Sequence, residues 1–205
     1  MIQFSYDEVS RIVKASKSTV ENDRRYQMLN KGFLQKIWDG QINHQILFSI
    51  AISPADLDKI EFENLSEADL IVDCIYKGGK TPNISAEPFH KLIPGCENSG
   101  GFRKKLREDG SRKYAYIVLY TSMEELEWPD FLDEETGIFR YYGDNREPGR
   151  ALTDTKKKGN LILETTFALL NEGVYLNDIP PFFIFKKTGT GRDVQFLGLA
   201  APGNP

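Results

Sequence analysis

The run AYIVLYT at 115–121 constrains the fold more than any other stretch of the 205-residue chain. Its β-branched and aromatic side chains suit a pleated surface better than a helix, where branching costs χ1 freedom. It predicts a strand, and a strand needs partners. FFIFKK (182–187) and DVQFLGLA (193–200) supply two, joined around Thr188-Gly189-Thr190-Gly191 as a hairpin. GIFRYYG (137–143) reads as another, and so does LIVDCIY (70–76), which Gly78-Gly79 stops.

Other segments carry a helical period. Ser5 with Glu8 forms a capping-box start for a short helix through Val9, Ile12 and Val13. Met28, Leu29, Phe33, Leu34, Ile37 and Trp38 recur at three- and four-residue spacing and predict a second helix over about 19–38, ended by Asp39-Gly40. ILFSIAI (46–52) has strand length. A further helix over about 160–170 offers Leu161, Leu163, Phe167, Ala168 and Leu170 for burial. The stretch from Thr81 to Arg103, with Pro82, Pro88 and Pro94 and several glycines, reads as mostly ordered loop, and the acidic segment before Gly137 as a long connection. The expected class is α+β: a curved, mainly antiparallel sheet with flanking helices and a helical N-terminal segment. Residues 1–60 are expected to pack as that segment on a main domain spanning 61–205.

Composition excludes several function classes. No apolar run approaches the ~18 residues of a membrane span, and MIQFSYDEVSRIV is too polar for a secretory signal, so a cytoplasmic location without membrane contact is expected. Cys74 and Cys96 are too few for a disulfide framework or a four-cysteine zinc site and read as reduced thiols. His44 and His90 lack neighbours at ligand spacing, so no metal site and no cofactor is expected. No Glu-x-Lys triplet exists to complete a PD-(D/E)xK nuclease core. KGGKT (77–81) lacks the earlier glycine of a phosphate loop, Cys74 standing there, and there is no Gly-x-Ser-x-Gly elbow. As a stand-alone enzyme the chain is poorly equipped.

The net charge of −4 conceals strong segregation. Nine basic residues face four acids over 77–113, six face three over 140–158, and the intervening 123–139 holds seven acids and no base. Binding follows where charge sits in space, so an acidic protein can carry a cationic face for phosphates.

WPDFLDEETGIFRYYGDN (128–145) sets a tryptophan, several carboxylates and paired tyrosines around one turn. An extruded nucleobase loses stacking and pairing worth a few kcal/mol, and a receiving pocket must replace both. Rings replace the stacking, at about 1–3 kcal/mol per base. A carboxylate accepts the N4 amine hydrogens of cytosine and repels the carbonyl that thymine presents there. Asp130 or Asp133, with Trp128, Tyr141 and Tyr142, supplies both kinds of group; the same residues would serve equally as core rings and a solvated acidic loop.

YAYIVLYTS, WPDFLDEETGIFRYYGDN and the PG and GN of REPGRALTDTKKKGN, followed by a helix, resemble the central stretch of SRA methylcytosine-binding domains. They are closest to the SRA-like N-terminal domain of modification-dependent restriction endonucleases of the AspBHI and MspJI kind. LIVDCIYKGG, IPGCENSGGFR and FLGLAAPG extend the resemblance over about 65–203. It implies a PUA-like β-barrel or crescent that flips 5-methylcytosine, or a related modified cytosine, out of duplex DNA, with a nuclease domain or subunit as partner. By the same resemblance Tyr141 is one stacking ring, Asp130 the base-reading acid, Trp128 or Tyr116 the opposing ring, and Tyr142 a neighbour of the methyl group. The loop of Asn98, Gly100 and Gly101 would approach the DNA, with Arg103 its best contact beside Lys104 and Lys105. Arg146, Arg150, Lys156, Lys157 and Lys158 flank Asn145 and the loop corresponding to the SRA segment that enters the duplex. GDNREPG stands where eukaryotic SRA domains carry a Gly-Ser-Gly-Gly run, a departure that bars copying their intercalating fingers onto this chain.

Two other classes compete. Asp130, Asp133, Glu134 and Glu135 could bind magnesium for a small nuclease. The apolar stripe Met28–Trp38 could form a contact with another domain or a second copy of the chain.

Overall fold

The computed structural model describes residues 2–5, 59–68, 70–133, 137–145, 147–173, 178–189 and 191–202. Nine strands make one sheet: β1 (Ile2–Ser5), β2 (Lys59–Ile60), β3 (Ile75–Tyr76), β4 (Phe102–Leu106), β5 (Tyr114–Thr121), β6 (Phe131–Asp133), β7 (Ile138–Tyr141), β8 (Phe182–Lys187) and β9 (Val194–Pro202). The main path runs β4-β5-β8-β9-β1-β7-β6, with β3 on β9 and β2 beside β3. Among the described residues this path is open, a crescent and not a closed barrel. Pairing is antiparallel except for β5 with β8 and β2 with β3. Among the described residues two α-helices accompany it, α1 (Phe89–Leu92) and α2 (Gly159–Glu172).

Alternation along the central strands explains the layering. On β5, Tyr116 and Val118 point into one apolar cluster, while Ile117 and Leu119 point into another. On β8, Phe183 and Phe185 join the first and Phe182 and Ile184 the second, as a period of two demands. β9 keeps this division only through a register shift against β8 at Ile184/Phe185, opposite Gly198 with its φ of 127°. The bulge lets Phe196 and Leu199 face one cluster and Leu197 and Ala200 the other. The first cluster is covered by the 65–96 segment, including Phe89, Leu92 and Ile93. The second is closed by Ile162 and Leu163 of α2 and by Phe139 and Tyr141 of β7. Since β7 stands four places from β5 in the path, the sheet curls to bring both onto one core.

The expected strands at 115–121, 137–143, 182–187 and 193–200 and the helix at 160–170 are all present within a few residues. LIVDCIY is not one continuous strand: Leu70 and Val72 make isolated bridges, Asp73 sits at φ 65° in a turn, held by Asp73 N donating to Phe196 O at 2.7 Å, and Ile75–Tyr76 is a strand. Phe102 and Arg103, read as the end of a loop, open β4, and the acidic connection contains β6. Ile2–Ser5 is a strand joining β7 to β9, so the first residues belong to the sheet and not to a helical leader. The helices expected at 5–13 and 19–38, the run 46–52 and the Met28–Trp38 stripe lie outside the described residues.

Candidate nucleic-acid interface

β6 and β7 form the hairpin that carries the aromatic and acidic residues. Phe131 lies opposite Arg140, and Leu132 opposite Phe139. Alternation sends Phe139 and Tyr141 inward and leaves Phe131 and Arg140 exposed on the other face. Asp130, half-buried just before β6, accepts the Tyr142 N–H on Oδ1 at 2.8 Å. That bond ties the acid to the end of β7, beside Tyr141 and Tyr142, while the Asp130 N–H donates to Trp128 O at 2.9 Å, two residues back in the chain. Trp128 is half-buried and Tyr142 is 41% exposed. Tyr141 is more enclosed than a stacking ring would be: it is 4% exposed and lies nearly parallel to Phe139, centroids 6.4 Å apart.

Tyr116 does not join this group. It is fully buried in the cluster on the opposite side of β5, edge-on to Phe183, and its hydroxyl donates to Pro94 O at 3.0 Å. Burial pushes its phenol well above the usual tyrosine range. Of the two candidates for an opposing ring, only Trp128 is near Asp130.

Beyond Tyr142 the chain is clasped to α2. Asp144 caps the helix, Oδ2 accepting from Gly159 N at 3.0 Å and Oδ1 from Asn160 N at 3.0 Å, while Thr155 Oγ1 donates to Oδ2 at 2.8 Å. The buried Asn160 amide reaches both ways: Oδ1 accepts from Asp144 N at 2.9 Å, and Nδ2 donates to Leu152 O at 2.8 Å. A side chain at Gly143 would collide with Asn160 Oδ1, and its φ of 98° already disfavours one.

The cationic stretches meet at this clasp. Lys157 Nζ donates to Ser99 O, to Ser99 Oγ at 2.7 Å and to Phe102 O at 3.2 Å. Lys104 Nζ donates to Lys157 O at 2.7 Å. Two runs more than 50 residues apart thus touch, and Lys104, Lys156 and Lys158 are exposed around the contact. Burial holds the Lys157 ammonium below the usual lysine range, the Arg103 guanidinium adding to the effect, and burial lowers Lys104 too. Arg150 bridges Glu147 at 2.8 Å and Asp154 at 3.2 Å, Lys158 pairs with Asp154 at 3.3 Å, and Lys105 pairs with Glu108 at 3.2 Å. Asn145 splints the loop, Nδ2 donating to Arg150 O and Ala151 O and Oδ1 accepting from Glu147 N at 3.0 Å. Arg146 lies outside the described residues, as do Glu134 and Glu135.

Arg103, expected as the best phosphate contact, is an internal residue. It is 3% exposed, donates to Glu87 Oε2 at 2.8 Å and to Gly100 O at 2.9 Å, and lies 3.8 Å over the Phe89 ring. Glu87 also accepts from Arg192 at 3.1 Å. Asn98 is likewise committed, its amide donating to Glu87 O at 2.8 Å. Gly101 permits strand pairing: a Cβ there would stand 2.8 Å from Tyr120 O. Gly100, at φ 55°, makes the turn above Lys157. Leu152, 67% exposed, and Phe131, 51% exposed, were missed from sequence; an isolated leucine among Pro, Gly and charged residues is the signal that could have marked the first. Among the described residues no group of three or more His, Cys, Asp or Glu side chains is placed to hold a metal ion. Nor is any helix there long and apolar enough to cross a membrane.

The chain is similar to solved structures, among them the two that follow. The DNA recognition domain of the cytosine modification-dependent restriction endonuclease LpnPI is 42% identical, over 75% of this chain and 67% of that one, with a TM-score of 0.66. The DNA modification-dependent restriction endonuclease AspBHI is also 42% identical, over 72% of this chain and 66% of that one, with a TM-score of 0.63. The chain thus spans about two thirds of the length of each. No curated protein matches it. The resemblance read from the motifs is met in both sequence and fold, an SRA-like α+β domain with a mostly antiparallel sheet. Residues 70–205 match the family described as restriction endonuclease AspBHI N-terminal, and the chain belongs to that family.

Proposed function

We propose that this chain is the DNA-recognition domain of a modification-dependent restriction endonuclease. In this reading it binds duplex DNA through the Lys104, Lys156 and Lys158 face and receives a flipped 5-methylcytosine, or a related modified cytosine, beside Asp130. Cleavage would belong to a nuclease domain or subunit partnered with it. The observation that carries the reading is the Asp130–Tyr142 hydrogen bond, which fixes a partly exposed acid at the end of β7, two residues after Trp128, in a chain of this family. Asp130 would accept from the cytosine N4 amine, Trp128 and Tyr142 would offer ring surface, and Tyr141 would wall the slot from the core side. Because Tyr141 is enclosed, a base gains its face only if neighbouring rings give way on binding, so Trp128 is the better probe of stacking. The methyl group adds apolar contact on the order of 1 kcal/mol. Preference for the modified base is therefore set by how tightly the slot closes.

The experiment is fluorescence-anisotropy titration of duplexes that differ only in one 5-methylcytosine. The intact chain is expected to bind the modified duplex more tightly, and Asp130→Ala or Trp128→Ala to erase the difference while leaving weak, salt-sensitive binding. Equal affinity of the intact chain for both duplexes would overturn the reading.

A further inference from the structure

The loop that leads into β4 turns its carbonyls towards two cations. Glu97 O accepts from Arg103 at 3.3 Å and Gly100 O from Arg103 Nε at 2.9 Å, while Ser99 O accepts from Lys157 Nζ. Asn98 pins the same turn from below through Glu87 O at 2.8 Å. In a trans peptide the N–H points opposite to the C=O of the same unit, so the N–H groups of Gly100 and Gly101 point away from Lys157 and Arg103. Neither finds an acceptor among the described residues. Gly100, exposed and at φ 55°, makes the left-handed step that lets successive N–H groups converge into an anion-binding nest.

Charge behind this loop is unbalanced. The Glu87 carboxylate that holds Arg103 also serves Arg192, at 3.1 Å. Lys157 pairs with no carboxylate among the described residues, its ammonium being committed to Ser99 O, Ser99 Oγ and Phe102 O. Each cation polarises the peptide whose carbonyl it holds, which strengthens the N–H on the open side. Burial and the neighbouring guanidinium hold Lys157 below the usual lysine range, and an anion across the peptide would relieve that strain on its charge. The loop also adjoins the clasp: a Cβ on Gly159 would stand 2.8 Å from Phe102 Cγ and 2.7 Å from the carboxylate of Asp144, two positions beyond Tyr142.

We infer that the N–H groups of Gly100 and Gly101 bind one phosphate of the DNA backbone, with Lys157 and Arg103 as positioning residues acting from behind the peptides. The inference rests on the DNA-recognition reading above and deepens it: main-chain donors of the loop make the contact, and the side chains shape and polarise that loop. A phosphodiester suits the pair because it presents a single charge on two unesterified oxygens. Such a contact fixes register on the duplex without reading sequence.

The test follows glycine amide signals by NMR in the intact chain labelled with isotopic glycine. It is titrated at constant ionic strength with dimethyl phosphate, inorganic phosphate, an unmodified duplex and the same duplex carrying one 5-methylcytosine. Gly100 and Gly101 are expected to move downfield with dimethyl phosphate and with both duplexes, while Gly110 and Gly173, exposed in other turns, stay in place. Lys157→Gln, which keeps a donor and removes the charge, should lessen these shifts and weaken binding of both duplexes by about tenfold, and Lys157→Arg should restore them. In a series of duplexes with single neutral methylphosphonate linkages, one position should cost the intact chain about tenfold and cost Lys157→Gln little more. Amides that stay in place on both duplexes would overturn the nest, and a continued preference for modified DNA would then leave base reading intact. Movement with the small anions but with neither duplex would mark a small-anion site and overturn the DNA contact. Moving amides with equal affinity for modified and unmodified duplexes would uphold the nest and sink base reading instead.

Discussion

Asp130 and Arg103, both read from sequence as contacts to DNA, end very differently. Asp130 keeps partial exposure while one oxygen fixes the Tyr142 main chain. Arg103, beside flexible glycines and two lysines, looks like a phosphate contact in sequence but is buried on Glu87. The difference lies in β4 alternation, which turns Phe102 and Arg103 towards opposite cores, and in a carboxylate sixteen residues upstream that no local pattern announces. Arg103→Ala leaves the buried Glu87 paired with Arg192 alone, so stability is expected to fall, by less than the about 3–5 kcal/mol of a fully stranded buried charge. Urea denaturation measures this, and the salt dependence of DNA binding should stay unchanged if Arg103 makes no phosphate contact. Asp130→Asn keeps an acceptor for Tyr142 N–H but loses the charge, and should weaken binding of the modified duplex by about tenfold or more, as expected for a charge-assisted bond of ~1.5–3 kcal/mol. The cysteines are buried, and burial pushes the Cys96 thiol up to about 11, so the thiolate is scarce at neutral pH. A thiol-reactive chromophore at pH 8 should label neither cysteine until denaturant is added.

At the scale of elements, strands with unbroken β-branched and aromatic runs were legible because period and composition agree. The sequence of 70–76 has that composition too, but Asp73 turns the chain at φ 65°, a side-chain and tertiary choice that a window of residues does not show. β6 is three residues long and β1 four, too short for periodicity to register against their polar flanks. The clasp between β7 and α2 was half legible: the GDN and KGN segments were recognised, but not that Gly143 is needed because the Asn160 amide occupies the place of a side chain. Gly143→Ala should therefore cost about 1–3 kcal/mol from backbone strain alone. The accompanying shift of the α2 N-terminus should weaken modified-duplex binding more than unmodified, which paired melting and titration experiments would separate.

For the whole molecule, net charge is the wrong measure, because curling of the sheet gathers two cationic runs at one clasp and leaves the acidic hairpin beside it. The existence of two such runs was plain in the sequence; that they touch through Lys104, Lys157 and Ser99 was not, since the contact spans more than 50 residues. Lys156→Ala and Lys158→Ala should each flatten the slope of log affinity against log salt by about one, irrespective of cytosine modification. Their effect is thereby distinguished from that of Asp130, which should act on preference with little change in slope. A crystal structure of the chain bound to a duplex with one 5-methylcytosine would decide whether the base leaves the stack. That cytosine is expected swung out of the helix, its N4 amine on Asp130 and its ring against Trp128; a modified base still stacked and paired in the duplex, with Asp130 facing no nucleotide, would refute base reading by this domain.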